Sequence, residues 1–69
     1  MIEKPLGFSA PIGELVGEQS LVSRLMELGL VRGELVILRG RAPFGGPYLV
    51  EIRGSLIALR SEEALCLLV

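Results

Sequence analysis

Histidine is absent from this chain, and so is tryptophan. The first absence removes the side chain most used as a general base and as a metal ligand near neutral pH. There is one cysteine, Cys66. It cannot close an intrachain disulfide, and without a histidine it makes neither a thiol-protease centre nor a zinc site. It sits in the apolar run Ala64-Leu-Cys-Leu-Leu-Val69, which reads as a small buried hydrophobe. A chain with no disulfide framework fits a reducing compartment. Aromatics are scarce, two phenylalanines and one tyrosine, so stacking platforms for a nucleic acid are few. Neither sign of charge is in excess: seven Lys and Arg stand against eight Asp and Glu, a formal net charge of −1. That balance argues against a dedicated nucleic-acid binder. Long apolar runs are missing too, and none approaches the roughly 18 residues of a membrane span. Met1-Ile-Glu-Lys-Pro5 carries an acid and a proline, unlike a secretory signal. A soluble cytoplasmic protein with no direct membrane insertion is expected.

The remaining polar residues form no catalytic constellation. Glu62 and Glu63 are adjacent, so on a helical turn they diverge and read as a solvated helix start. Phe44-Gly-Gly-Pro47 lacks the lysine and the following helix of a phosphate-binding loop. Arg32, Arg39, Arg41, Arg53 and Arg60 make the second half mildly basic, and scattered arginines of this kind read as a solvated face. No catalytic residue, cofactor or metal site is expected.

What the chain does have is apolar content, 51% of its residues, with a mean hydropathy of +0.61. A 69-residue domain buries only roughly 60% of the surface its unfolded chain exposes. Some apolar surface must therefore stay outside, where it marks a face for a partner or for self-association.

One segment has a clear helical period. Leu21, Leu25 and Leu28 recur four and three residues apart, with Val22 and Met26 widening the stripe. Ser20 is a suitable N-cap and Gly29 a suitable residue just past the C-terminus, with Leu30 folding back on the last turn. Arg24 and Glu27 are spaced to pair. The rest reads as short strands. Ile12–Val16 is the first. Glu34–Arg39 is the second, so uniformly apolar that burial on both faces is expected. Gly40–Pro47 is a loop. Tyr48–Arg53 alternates, with Tyr48, Val50 and Ile52 on one side and Leu49, Glu51 and Arg53 on the other. Gly54-Ser55 marks a hairpin turn, Leu56–Arg60 a fourth strand, Ser61–Ala64 one helical turn capped by Ser61, and Leu65–Val69 a closing strand. The fold expected is mainly β: one domain over residues 1–69, with 1–10 a weakly structured lead-in. It is a small barrel of about five strands with one α-helix between strands 1 and 2.

Arg24-Leu-Met-Glu-Leu-Gly-Leu30, Arg32-Gly33, Ala42-Pro-Phe-Gly-Gly-Pro47, Ile57-Ala-Leu-Arg60, Glu63-Ala64 and Leu67-Leu-Val69 follow one another in an order and spacing that resembles the ferrous iron transport protein A family, FeoA. The resemblance covers residues from about 12 to 69 and implies an SH3-like barrel. Two positions depart from the family pattern: Gly13 lies inside the short first strand, and Gly46 stands where an acidic residue is frequent. The resemblance implies a non-enzymatic accessory or regulatory protein of bacterial ferrous iron uptake. Its partner would be the FeoB-type GTP-binding ferrous iron transporter, contacted from the cytoplasmic side. The alternatives are a free-standing relative of the SH3-like domain that ends metal-dependent repressors, and a small nucleic-acid-binding barrel.

For a working surface, Phe44 sits at the tip of a Pro-Gly loop where no strand phase turns it inward. Tyr48 follows at the loop exit, and Leu30 with Val31 lies beyond the helix cap. Rimmed by Arg32 and Arg41, these residues would form an apolar patch for the transporter or for a second copy of the chain. The other reading makes Phe44 a lid on the core.

Overall fold

A computed structural model describes residues 1–69. In chain order the elements are β1 (Ser9–Pro11), β2 (Glu14–Leu15), α1 (Gln19–Glu27), β3 (Leu35–Arg41), β4 (Tyr48–Ile52), β5 (Ser55–Leu59), α2 (Ser61–Ala64) and β6 (Leu67–Leu68).

The helix forms where the apolar period lies, shifted toward its N-terminus. Glu18 is the N-cap, with extended backbone, and Ser20 lies inside the helix, its hydroxyl donating to the Glu18 carboxylate. The C-terminus closes as read. Gly29 takes a φ of 98°, its N–H donates to the Met26 carbonyl and the Leu30 N–H donates to the Leu25 carbonyl, both at 3.0 Å. These are the two bonds of a Schellman turn. The turn changes which leucines reach the core. Leu25 and Leu30 are fully buried and Leu21 is half-buried, whereas Leu28 is 42% exposed. Leu28 was expected on the packing face; the turn reverses the chain there and gives that place to Leu30. Arg24 does not pair with Glu27 but with Glu63 on α2, at 3.1 Å.

The strands make two antiparallel sheets. One is four-stranded in the order β1-β3-β4-β5; the other pairs β2 with β6. The sheets are open, so the closed barrel of about five strands is not what forms, and the helix falls between the second and third of six strands. The cause lies at Ile12 and Gly13. The Ile12 side chain is buried in the core while its N–H donates to Glu34; the Gly13 N–H donates to Leu68. The chain thus leaves one sheet and enters the other inside the predicted first strand. A Cβ on Gly13 would stand 3.3 Å from the Leu68 carbonyl oxygen, which suits a glycine to this corner. The lead-in is more ordered than expected. Ser9–Pro11 pairs with Leu35–Ile37, and Met1 is buried with its ammonium donating to the Leu67 carbonyl at 3.2 Å.

β3 alternates rather than being covered on both faces: Val36 and Leu38 are buried, Leu35 is exposed. Its register against β4 shifts between Leu38 and Gly40. In β4 the expected alternation holds, with Val50 and Ile52 inside and Leu49 outside. The hairpin turn is one residue earlier than read. Arg53 and Gly54 take φ of 50° and 80° between the paired Ile52 and Ser55, the geometry of a two-residue primed turn. α2 is capped by Arg60 instead of Ser61: the Arg60 N–H donates to the Glu63 carboxylate at 2.8 Å. Glu63, read as solvated, is only 3% exposed. After α2 the phase resets, leaving Leu65 outside and burying Cys66 and Leu67.

The core joins Ile12, Leu25, Leu30, Val36, Leu38, Val50, Ile52, Leu59 and Leu67 in one cluster with Met1, Ala64 and Cys66. Leu25→Ala is expected to cost about 2–5 kcal/mol, read as a shift of the urea midpoint; an unchanged midpoint would remove α1 from the core. The two adjacent glutamates are expected to differ. Glu63→Ala should destabilise by about 1–3 kcal/mol by removing a buried acceptor, while Glu62→Ala stays within about 0.5 kcal/mol, in the same denaturation assay.

Candidate interaction surface

The loop between β3 and β4 is held by two backbone bonds, Ala42 N–H to Pro47 O at 2.9 Å and Gly46 N–H to Pro43 O at 3.2 Å. Closing so short a loop forces positive φ at two consecutive residues, 59° at Phe44 and 73° at Gly45. Glycine adopts this region freely; for Phe44 it costs on the order of 1–2 kcal/mol. The Phe44 side chain gains no packing in return, being fully exposed at 103% of its reference area. It does not fold back as a lid on the core.

Beside this loop lies a groove of about 490 Å³ between Gly45–Pro47 on one side and Ala58–Glu62 on the other. The Ser61 hydroxyl donates to the Gly45 carbonyl at 3.3 Å and ties the loop to the start of α2. The exposed Arg60 and Glu62 at the groove hold no ion pair within the chain, so both signs of charge are free there. Gly46 is shaped by the same loop. A Cβ there would stand 2.5 Å from the Ala42 Cβ and 3.2 Å from the Pro43 oxygen. A residue with a side chain at this position therefore does not fit this backbone.

The residues proposed as one patch are not brought together. Leu30 belongs to the core, because the Schellman turn drives it under the helix end. Val31 is half-buried, and Arg32 is exposed on the tight turn before β3. Phe44 lies past the other end of β3, a seven-residue strand about 20 Å long. Arg41 lies near Phe44 but is occupied, its guanidinium donating to the Lys4 carbonyl, while Lys4 sits over the Phe8 ring at 5.1 Å. Tyr48 is half-buried and packs on the core. The candidate surface is thus Phe44 with the groove residues Arg60, Ser61 and Glu62, expected only as a solvated arginine, a helix cap and a solvated helix start. No local pattern announces them; they are gathered by the hairpin that lays β5 beside β4.

No group of three His, Cys, Asp or Glu side chains converges in the structure. Burial, with the Glu63 charge added, pushes the Cys66 thiol up, and its Sγ donates to the Glu62 carbonyl at 3.4 Å. It is held as a thiol and is a poor nucleophile. No helix is long and apolar enough to cross a membrane.

The family model described as the FeoA domain matches residues 3–69. The chain belongs to the FeoA family. Solved FeoA structures superpose on nearly all of it. The FeoA protein of Chlorobium tepidum is 35% identical with a TM-score of 0.84, over 96% of this chain and 63% of that one. The FeoA of Stenotrophomonas maltophilia, solved with zinc, is 34% identical with a TM-score of 0.77, over 93% and 80%. It is described as a prokaryotic SH3-domain protein and a suggested activating factor of bacterial ferrous iron transport. A FeoA-like protein of Clostridium acetobutylicum is 29% identical with a TM-score of 0.83, over 94% and 76%. A comparison with curated proteins gives no match. The fold is therefore mainly β and SH3-like, as in these FeoA relatives, with sheets that stay open here.

Gly46→Asp is expected to destabilise the protein by about 1–3 kcal/mol by forcing the loop apart. Thermal denaturation checks this; an unchanged melting curve would show that the loop relaxes freely.

Proposed function

We propose that this FeoA chain is a non-enzymatic accessory protein of bacterial ferrous iron uptake that works in the cytoplasm. It acts by docking the Phe44 loop and the adjoining groove on the cytoplasmic part of a FeoB-type GTP-binding ferrous iron transporter. Family membership supports the link to ferrous iron transport. The observation that carries the docking surface is Phe44 itself, an aromatic side chain wholly in solvent on a backbone that disfavours it. Neither the core nor the turn accounts for a phenylalanine there. A partner pocket does, since buried aromatic anchors with free charges at their rim dominate protein interfaces. The groove supplies such a rim in Arg60 and Glu62.

Phe44→Ser tests the reading. It is expected to leave the melting temperature nearly unchanged and to weaken binding to the transporter's cytoplasmic domain at least about thirtyfold, the loss of an interface anchor. Titration by calorimetry with the purified domain measures it. Binding that is unaltered by the substitution would move the docking surface elsewhere on the chain.

A further inference from the structure

The four-stranded sheet has two outer edges, and they are unlike. β1 is three residues long and ends in Pro11, which has no N–H to offer. Short length and proline are what blunt an edge against pairing. β5, Ser55-Leu-Ile-Ala-Leu59, has five residues with no charge, proline or glycine, and it pairs with β4 alone. The two-residue turn at Arg53-Gly54 makes Ile52 and Ser55 a mutually hydrogen-bonded pair. By alternation Ser55, Ile57 and Leu59 direct their backbone groups at β4, while Leu56 and Ala58 direct theirs away from it. Neither Leu56 nor Ala58 has a backbone partner in the turns, loops or caps. Arg60, next in that phase, is already occupied, its N–H by Glu63 and its carbonyl by the Glu63 and Ala64 amides. The bare edge is therefore Leu56 and Ala58 and nothing more.

We propose that this edge is a contact between two copies of the chain, paired antiparallel about a two-fold axis at Ile57. In that register Leu56 of each copy faces Ala58 of the other, and every N–H and C=O left free on one edge meets its complement. The side chains match in size, the exposed Leu56 lying against the small Ala58 on the outward face. No charge lies within β5 to oppose its like, and Arg53 before it is already held by Glu34 of its own chain at 2.6 Å. This self-match in hydrogen bonds, in side-chain size and in lack of charge is what selects a second copy over an unrelated strand. The pairing joins two four-stranded sheets into one. An edge of five residues buries less than the roughly 1,200 Å² of a stable standard-size complex, so the dimer is weak and forms as concentration rises.

Sedimentation velocity from about 10 μM to about 1 mM, with amide exchange followed by NMR at both ends of that range, tests this. The mass is expected to move from monomer toward dimer. The Leu56 and Ala58 amides should exchange at least about tenfold more slowly at the high concentration, because only pairing protects them. Leu56→Lys changes an outward, exposed side chain and is expected to restore the monomer throughout; Ala58→Pro, which removes an edge N–H not used by β4, should do the same. Three results overturn the proposal: a monomer at every concentration, a dimer that survives Leu56→Lys with these two amides unprotected, or protection that arises only on adding the transporter's cytoplasmic domain. The wild-type exchange measurement decides even where a variant folds poorly.

Discussion

The hydrogen bond from the Leu30 amide to the Leu25 carbonyl, 3.0 Å long, is the joint between the helix and the sheets. A nine-residue helix is too short to persist alone, and α1 buries only Leu25 completely. Its stability must come from how its end is fixed. The Schellman turn fixes it by placing Leu30 directly under Leu25 and sending the chain through Arg32-Gly33 into β3. Gly29 serves this joint twice. Its φ of 98° is outside the range of other residues, and a Cβ there would stand 3.2 Å from the Ile52 side chain of β4. The helix end therefore lies close against the end of β4, an inner strand of the sheet.

The second joint is polar. Glu63 is buried, yet its carboxylate accepts from the Arg60 amide and pairs with Arg24. A buried carboxylate costs several kcal/mol unless such partners offset it. Here the one side chain caps α2 and links it to α1. The two short helices, each marginal alone, are held against each other at the end of the core where β5 leaves the sheet. Arg24 remains largely in water, so the ion pair to α1 adds little and the buried carboxylate is held mainly by the capping bond within α2.

Much of this was legible because it is local. The period of Leu21 and Leu25, the Gly29 stop, the alternation of Tyr48–Ile52 and the one-turn helix at Ser61 each follow from neighbours a few residues apart. The misreadings share a cause, which is tertiary. Ile12–Val16 has a strand's composition, but Ile12 must reach the core while Gly13 must meet Leu68, so the segment splits between two sheets. Leu28 has the helical phase of Leu25, yet the reversal at Gly29 leaves it in solvent. Leu35 looks like its buried neighbours, and only the absence of a covering layer exposes it. Glu63 is indistinguishable from Glu62 until Arg24 and the Arg60 amide are placed. The candidate surface was half legible: loop position alone predicts an exposed Phe44, but nothing near Leu30 or Arg32 in sequence says that β3 carries them to the far end.

A small domain with this composition exposes apolar side chains by necessity, and exposure alone says little about use. Leu35, Leu49 and Leu56 lie outside because a strand that sends one residue inward sends the next outward. Their presence needs no partner to explain it. Phe44 and the β5 edge are different in kind. At Phe44 the backbone is held in a conformation that glycine would occupy freely, and the side chain recovers none of that cost within the chain. At Leu56 and Ala58 what lies open is backbone, whose groups need a protein partner or water wherever they stand. Surface-to-volume scaling accounts for the leucines, but it accounts for neither a strained exposed aromatic nor an unpaired strand edge. Those two features are the ones the proposed contacts draw on.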